Sequence, residues 1–520
     1  MYTKPISMSQ EKLISTQENS EEIINGLFHQ VEELVNHPEI SHLREYYLLL
    51  AMNTKQLKTM EEQGEDLDST PFLTIDIPAL HDLYNQIQTF LQALNNATGL
   101  KNSAQFSLGS QSYSNNPKFK LLINYANDLR LKRKAIMLLM QLKNPKLDKG
   151  NTVQALQHTY DEIYGRQSLE SALNTLTSLD AKTTLESALP YANPELTTRI
   201  HSTTELLGAR KSTLNTLEAI PIEEYRILEK HLQPQYEKFL PEHITEECLA
   251  DRKAKVDPKR TLEIIQEILD ILNTHYATNW RAVPNTGKTN FSVNQGSKVV
   301  ECPDPEILLQ DTKNWRTYGT LYTLIHHELF THVLRRLNHN LILPDNEDSE
   351  EGAAMTMEAL SGENTVINRG GAKYRDLVFG LESIGWDSKE LLELTNSLNQ
   401  KNEAITGKKD TNSITIARIL RGGYHDSKSK ESAIYLKDQA YGRGKLLMEK
   451  LVAMLSSPDE TVRKVAEEIT DNLLQAKFDW TNYNHLLYLQ SVGILKSSTE
   501  ELKKYIVAIQ SARVVTNANN

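Results

Sequence analysis

Only two cysteines, Cys248 and Cys302, occur in 520 residues, and they stand far apart. A pair so spaced builds neither a disulfide framework nor a thiolate metal site, so both are expected to be small buried thiols. Positive charge is also short: 57 lysines and arginines against 68 aspartates and glutamates leave a net charge of −11. That balance argues against nucleic acid as the main partner, while a local basic cleft stays compatible with it. No long apolar run is present, so no membrane span is expected. The opening stretch, MYTKPISMSQEKLISTQENSEE, is polar and lacks the apolar centre of a secretory signal. A cytoplasmic location is the expectation, with export lacking an N-terminal signal as the alternative. There is no internal repeat and no long low-complexity tract.

What is present is mostly helical pattern. Hydrophobic content of 39% suffices for a sizeable core, and 24% charged residues is ordinary. The length fits two or three domains, or one large domain with a helical extension. Residues 1–22 read as a flexible tail and 23–215 as a helical N-terminal region, interrupted by the extended piece FLTIDIP and by a serine- and asparagine-rich loop over 101–118. A boundary near Pro221 opens the region 216–500, which carries the chemistry, and 501–520 reads as a helix end with a frayed tail. Within the chemical region, a helix over Arg260 to His275 leads into FSVNQGSKVVEC, a hairpin turning near Gln295 and Gly296. The fold class expected is mainly α with a small β element.

The densest signal is LIHHELFTH, Leu324 to His332. Leu321, Leu324, Ile325, Leu329, Val333 and Leu337 recur at steps of three and four, the stripe of a core-facing helix. Ionisable groups on such a helix need partners, and imidazoles grouped with a carboxylate suggest a metal. From His327 through Glu328 to His332 the spacing is H-E-x-x-x-H, one residue longer than the common zinc helix. Residues four apart on an α-helix lie about 40° from each other, residues five apart about 140°. A one-residue bulge of π type between the two histidines is therefore expected.

Downstream, SEEGAAMTME begins a second helix, capped by Ser349 or Asp348, with Glu350 and Glu351 in its first turn. Gly352, Ala353 and Ala354 are small enough to let it approach the first helix closely. Glu351 would then complete a two-histidine, one-glutamate zinc set, and Glu358, two turns on, would orient an imidazole.

These motifs resemble the tyrosine/phenylalanine carboxypeptidase-type metallopeptidases, which include the microtubule-associated tyrosine carboxypeptidases and bacterial proteins named for a QEGLA motif. The usual HEIGTHVLR is matched by His327, Glu328, Thr331, His332, Val333, Leu334 and Arg335. QEGLAVYNE is matched by Glu351, Gly352, Ala354 and Glu358. ARILRGG is similar to RVFRG at Arg418, Arg421 and Gly422, and LKDQAYGRG matches at Lys437, Asp438, Tyr441 and Gly444. The likeness spans roughly residues 150 to 450. Departures are Phe330 for the usual glycine, Glu350 for glutamine and Ala353 for leucine, each able to reshape a substrate pocket.

The resemblance implies a zincin-like domain with a two-helix metal site. It implies one Zn2+ per chain on His327, His332 and Glu351, Glu328 as catalytic base, and a peptide or protein C-terminus as substrate. Tyr441 is the candidate oxyanion donor, Thr331 joins Glu358 beside the ligands, and an aromatic-sized pocket is placed near Phe330. The free carboxylate of such a substrate calls for a cationic anchor, best an arginine. Arg418, Arg421, Lys437 and Arg443 are the candidates. If SITIARIL is a strand, Arg418 shares a face with Ile414, Ile416 and Leu420; if a helix, Arg418 and Arg421 are neighbours. The alternatives to a carboxypeptidase are an endopeptidase on the same site, or a partner-binding regulatory protein whose zinc site is vestigial. A di-iron carboxylate helical protein fits less well, because it needs two E-x-x-H motifs.

Overall fold

A computed structural model of the chain describes residues 117–142, 149–209, 222–285, 291–294, 297–308, 315–338, 347–361, 370–407, 424–426, 431–434, 436 and 439–511, with a few positions between 78 and 92. Helices dominate because apolar side chains recur at helical spacing. In α1 (Pro117–Leu142) Leu121, Leu122, Tyr125, Leu129, Ile136 and Leu139 are buried, and in α2 (Lys149–Tyr164) Val153, Leu156 and Tyr160 are. Next come α3 (Leu169–Ser178), α4 (Ala181–Ala188) and α5 (Pro194–Ala209). They are followed by α6 (Ile222–Tyr236), α7 (Glu242–Ala250) and α8 (Pro258–Tyr276). At the start of α8 the Asp257 carboxylate accepts from Lys259 N at 2.7 Å, and Pro258 occupies the first helical position, where its missing N–H costs nothing.

The expected hairpin is present as β2 (Ser292–Asn294) antiparallel to β3 (Val299–Pro303), with Val293 opposite Val300. The tip at Gln295 and Gly296 lies outside the described residues. An added strand, β1 (Arg281–Asn285), pairs parallel with β3, so the sheet order is β1-β3-β2.

A long helix, α9, follows the sheet; it joins the α-helical turns Tyr318–Leu324, a π-helical segment Ile325–Val333 and the turns Leu334–Asn338. Then come α10 (Glu347–Leu360), α11 (Gly370–Ser383) and α12 (Ser388–Thr406). A second small ladder pairs β4 (Tyr424–Asp426) with β5 (Glu431–Ala433). The described chain ends with α13 (Ala440–Leu455), α14 (Glu460–Asp471), α15 (Tyr483–Ser491) and α16 (Thr499–Ser511). No helix among the described residues is long and apolar enough to cross a membrane.

Two apolar cores hold these elements. The larger gathers α1, α2 and α6 to α9 with β3, α10 and α13 to α16, through Tyr160, Ile268, Trp280, Leu329, Met357, Leu451, Trp480 and Tyr505. The smaller joins α3, α4 and α5 to α11 and α12, through Leu176, Leu185, Ile200, Leu381 and Leu394. Each core draws on both sides of residue 215, so the division expected there does not separate two cores. A helical period names the buried face of a helix but not the helix that buries it. Both cysteines are free and buried as expected, and burial pushes each thiol up to about 12.

Candidate metal centre

The widening of α9 decides the geometry of the site. A π turn bonds residue i to i+5, so residues five apart come to face the same way. Ile325–Val333 adopts that form, and it brings Nε2 of His327 and Nε2 of His332 within 3.3 Å of each other. Thr331 is buried and its hydroxyl donates to the carbonyl of His326, five residues back, at 3.1 Å. Expected beside the ligands, Thr331 instead ties the backbone of the widened turn.

The second helix, α10, supplies carboxylates from its first turns. Oε2 of Glu351 lies 4.0 Å from Nε2 of His327, and ligand atoms of His327, His332 and Glu351 all fall within 4.8 Å of one another. The outer nitrogens of both rings face carboxylates: Nδ1 of His327 is 2.6 Å from Oε1 of Glu358, and Nδ1 of His332 is 2.8 Å from Oε1 of Glu350. A carboxylate facing Nδ1 favours the tautomer with its proton there, which turns the lone pair of Nε2 inward. Two such lone pairs would then face each other across 3.3 Å, an arrangement that calls for a cation between them. Oε2 of Glu351 is buried and accepts no hydrogen bond among the described residues, so it has a lone pair to give as well. These donors fit a metal ion.

Charge points the same way. Glu328, Glu350, Glu351 and Glu358 surround the two imidazoles, and among the described residues Arg335 and Lys477 pair with Glu350. The same field acts on His327: burial pulls its pKa down, but Glu328, Glu358 and Glu351 outweigh burial and lift it to about 9. Glu350 is held well below the usual carboxylate range; burial opposes this, and Lys477, Arg335 and His332 overcome it.

A close helix crossing sets the position of Glu351. Gly352, the next residue, lies against Gly444 of α13, where a Cβ would sit 2.5 Å from the Gly444 carbonyl oxygen. The small residues of α10 were expected to admit α9; Gly352 admits α13 instead. Tyr441 is half-buried in the first turn of α13, one helical turn before that crossing. Arg443 is committed elsewhere, with Nε 3.1 Å from Oδ2 of Asp348 and a bond of 3.2 Å to the Gly165 carbonyl. It pins the start of α10 rather than presenting a free guanidinium. Arg418, Arg421 and Lys437 lie outside the described residues.

Phe330, expected beside an aromatic-sized pocket, lies in the apolar core. It is fully buried and stacks on Tyr236 at 5.0 Å, with the ring of His326 edge-on at 5.4 Å. His326 and Phe330 share the core face of α9, away from the ligands. His326 donates from Nδ1 to the Tyr322 carbonyl at 2.8 Å, and burial lowers its pKa to about 4, so it is a neutral structural histidine.

Sequence reasoning missed Glu350, Arg335 and Lys477. Glu350 was noted only as a departure that could reshape a substrate pocket; adjacent residues on a helix point about 100° apart, yet both glutamates reach this centre. Glu350 reaches His332 from one side while Glu351 faces the ligand space, and Arg335, fully buried, holds Glu350 at 2.5 Å. A signal was available: Arg335 lies three residues beyond His332, close to one helical turn, so the two side chains fall near the same side of the helix. Compared with known proteins, the chain matches no family model, no curated protein and no solved structure.

Proposed function

We propose that the chain is a zinc metallopeptidase that hydrolyses the C-terminal peptide bond of a peptide or protein. The observation that carries the reading is the convergence of His327, His332 and Glu351, with Glu328 next in sequence to one of the converging histidines. The pairing of a widened histidine helix with a carboxylate helix also supports the likeness to carboxypeptidase-type metallopeptidases and to a zincin-like domain. Zinc on this donor set supplies Lewis acidity, polarising a carbonyl and lowering the pKa of water toward about 7.

The chain's own groups then have distinct tasks. Glu328, half-buried, accepts the proton of the attacking water and returns it to the departing amine. Glu358 and Glu350 hold the two imidazoles in the orientation and tautomer that ligation needs. Tyr441 is the candidate donor to the developing oxyanion. With Arg443 engaged by Asp348, the anchor for a terminal carboxylate falls to Arg418, Arg421 or Lys437. With Phe330 in the core, a preference for aromatic residues rests on the resemblance alone.

The engagement of Arg443 also favours a second reading, an endopeptidase on the same centre that needs no carboxylate anchor. A peptide and its C-terminally amidated twin separate the two. A carboxypeptidase should process the amide roughly 10- to 100-fold more slowly, the loss of one or two charge-assisted hydrogen bonds. Equal rates, with cleavage inside the peptide, would establish the endopeptidase.

A further inference from the structure

Glu350 is bound on every side. Oε1 meets Nδ1 of His332 at 2.8 Å and Nζ of Lys477 at 2.9 Å, and Oε2 meets the Arg335 guanidinium at 2.5 Å. Arg335 in turn donates from Nε to the Ala476 carbonyl at 3.0 Å and from its other arm to the Phe478 carbonyl at 3.4 Å. The carboxylate therefore stands where α9, α10 and the segment 476–478 between α14 and α15 meet.

A buried ion pair is weak grounds for stability, because desolvation offsets most of its attraction and an apolar replacement often does as well. A hydrogen bond to the outer nitrogen of a metal-binding histidine has a different effect: it sets the ring's orientation and the basicity of the inner nitrogen. We propose that Glu350 is a positioning residue for His332, fixed in place by Arg335 and Lys477, and that metal retention depends on it. The proposal rests on the metal-centre reading. It ties the 476–478 segment, far from the ligands in sequence, to the affinity of the centre.

The test is zinc affinity by competition with a chelator, together with the visible spectrum of the cobalt-substituted protein, for wild type, Glu350→Gln and Glu350→Ala. Losing such a partner weakens metal binding by about 10- to 100-fold. Glu350→Ala should fall toward the upper end. Glu350→Gln, whose amide oxygen still accepts from Nδ1, should fall near tenfold. The cobalt bands should shift in the alanine variant, which a merely structural role would not cause. If the alanine variant fails to fold, Glu350→Gln decides alone. Wild-type affinity and an unshifted spectrum in the folded variants would overturn the proposal while leaving the metal centre standing. Absence of zinc from wild type would overturn both.

Discussion

Glu328→Gln should lose turnover by about 10²- to 10⁴-fold, the usual contribution of a positioned general base. Glutamine keeps the size and polarity of the side chain and removes its charge and its ability to take a proton. Glu328 is not among the three groups whose ligand atoms converge, so the variant should keep its metal. Its neighbour His327 would lose one of the carboxylates that raise its pKa, a change in field rather than in donor set. Rate on a peptide substrate and zinc content, measured on the same preparation, check both halves. A variant with full activity would remove Glu328 from the mechanism, and one without zinc would make it a structural member of the centre.

Gly352→Ala carries the second large effect. Helix propensity alone predicts stabilisation by about 1 kcal/mol, because glycine is a poor interior helix residue. The crossing predicts the opposite sign. A Cβ at Gly352 would lie 2.5 Å from the Gly444 oxygen and 2.9 Å from its carbonyl carbon, and one at Gly444 would lie 2.6 Å from Gly352 N. These are backbone atoms of two helices, with no flexible side chain to yield. The helices must separate, at a cost of about 1–3 kcal/mol for overpacking of this kind. Glu351 moves with α10, so metal binding should weaken along with stability. A lowered melting temperature with reduced zinc content is the expected result. A variant as stable as wild type and fully metallated would show that α10 positions Glu351 by other means.

The parts of this site that depend on local spacing were legible in the sequence. H-E-x-x-x-H cannot place both histidines on one metal in a regular helix, so the π segment followed from the count of residues alone. The second helix and the position of Glu358 were also readable from spacing, but the helix begins at Glu347, so Asp348 and Ser349 lie inside it rather than capping it and Glu351 falls past its first turn. What could not be read was pairing across the chain. The period of α10 marked Gly352 as a point of close approach without naming α13 as the neighbour. Nothing local in QAKFDW indicates that Lys477 meets Glu350, or that the carbonyls beside it receive Arg335. Phe330 was misplaced for a different reason. Standing where the resembled family has glycine drew it toward the centre, although it lies four residues from His326, on the face that packs against Tyr236.

The central claim is that His327, His332 and Glu351 bind a metal ion, and equilibrium zinc content tests it most directly. Elemental analysis of the purified chain, dialysed against zinc and then buffer, should find one zinc per wild-type chain, one in Glu328→Gln and almost none in His332→Ala. Iron in place of zinc would keep the centre and redirect the chemistry, since two histidines and a carboxylate also suit ferrous iron. A wild-type chain that retains no metal, or a His332→Ala variant that retains as much as wild type, would contradict the account.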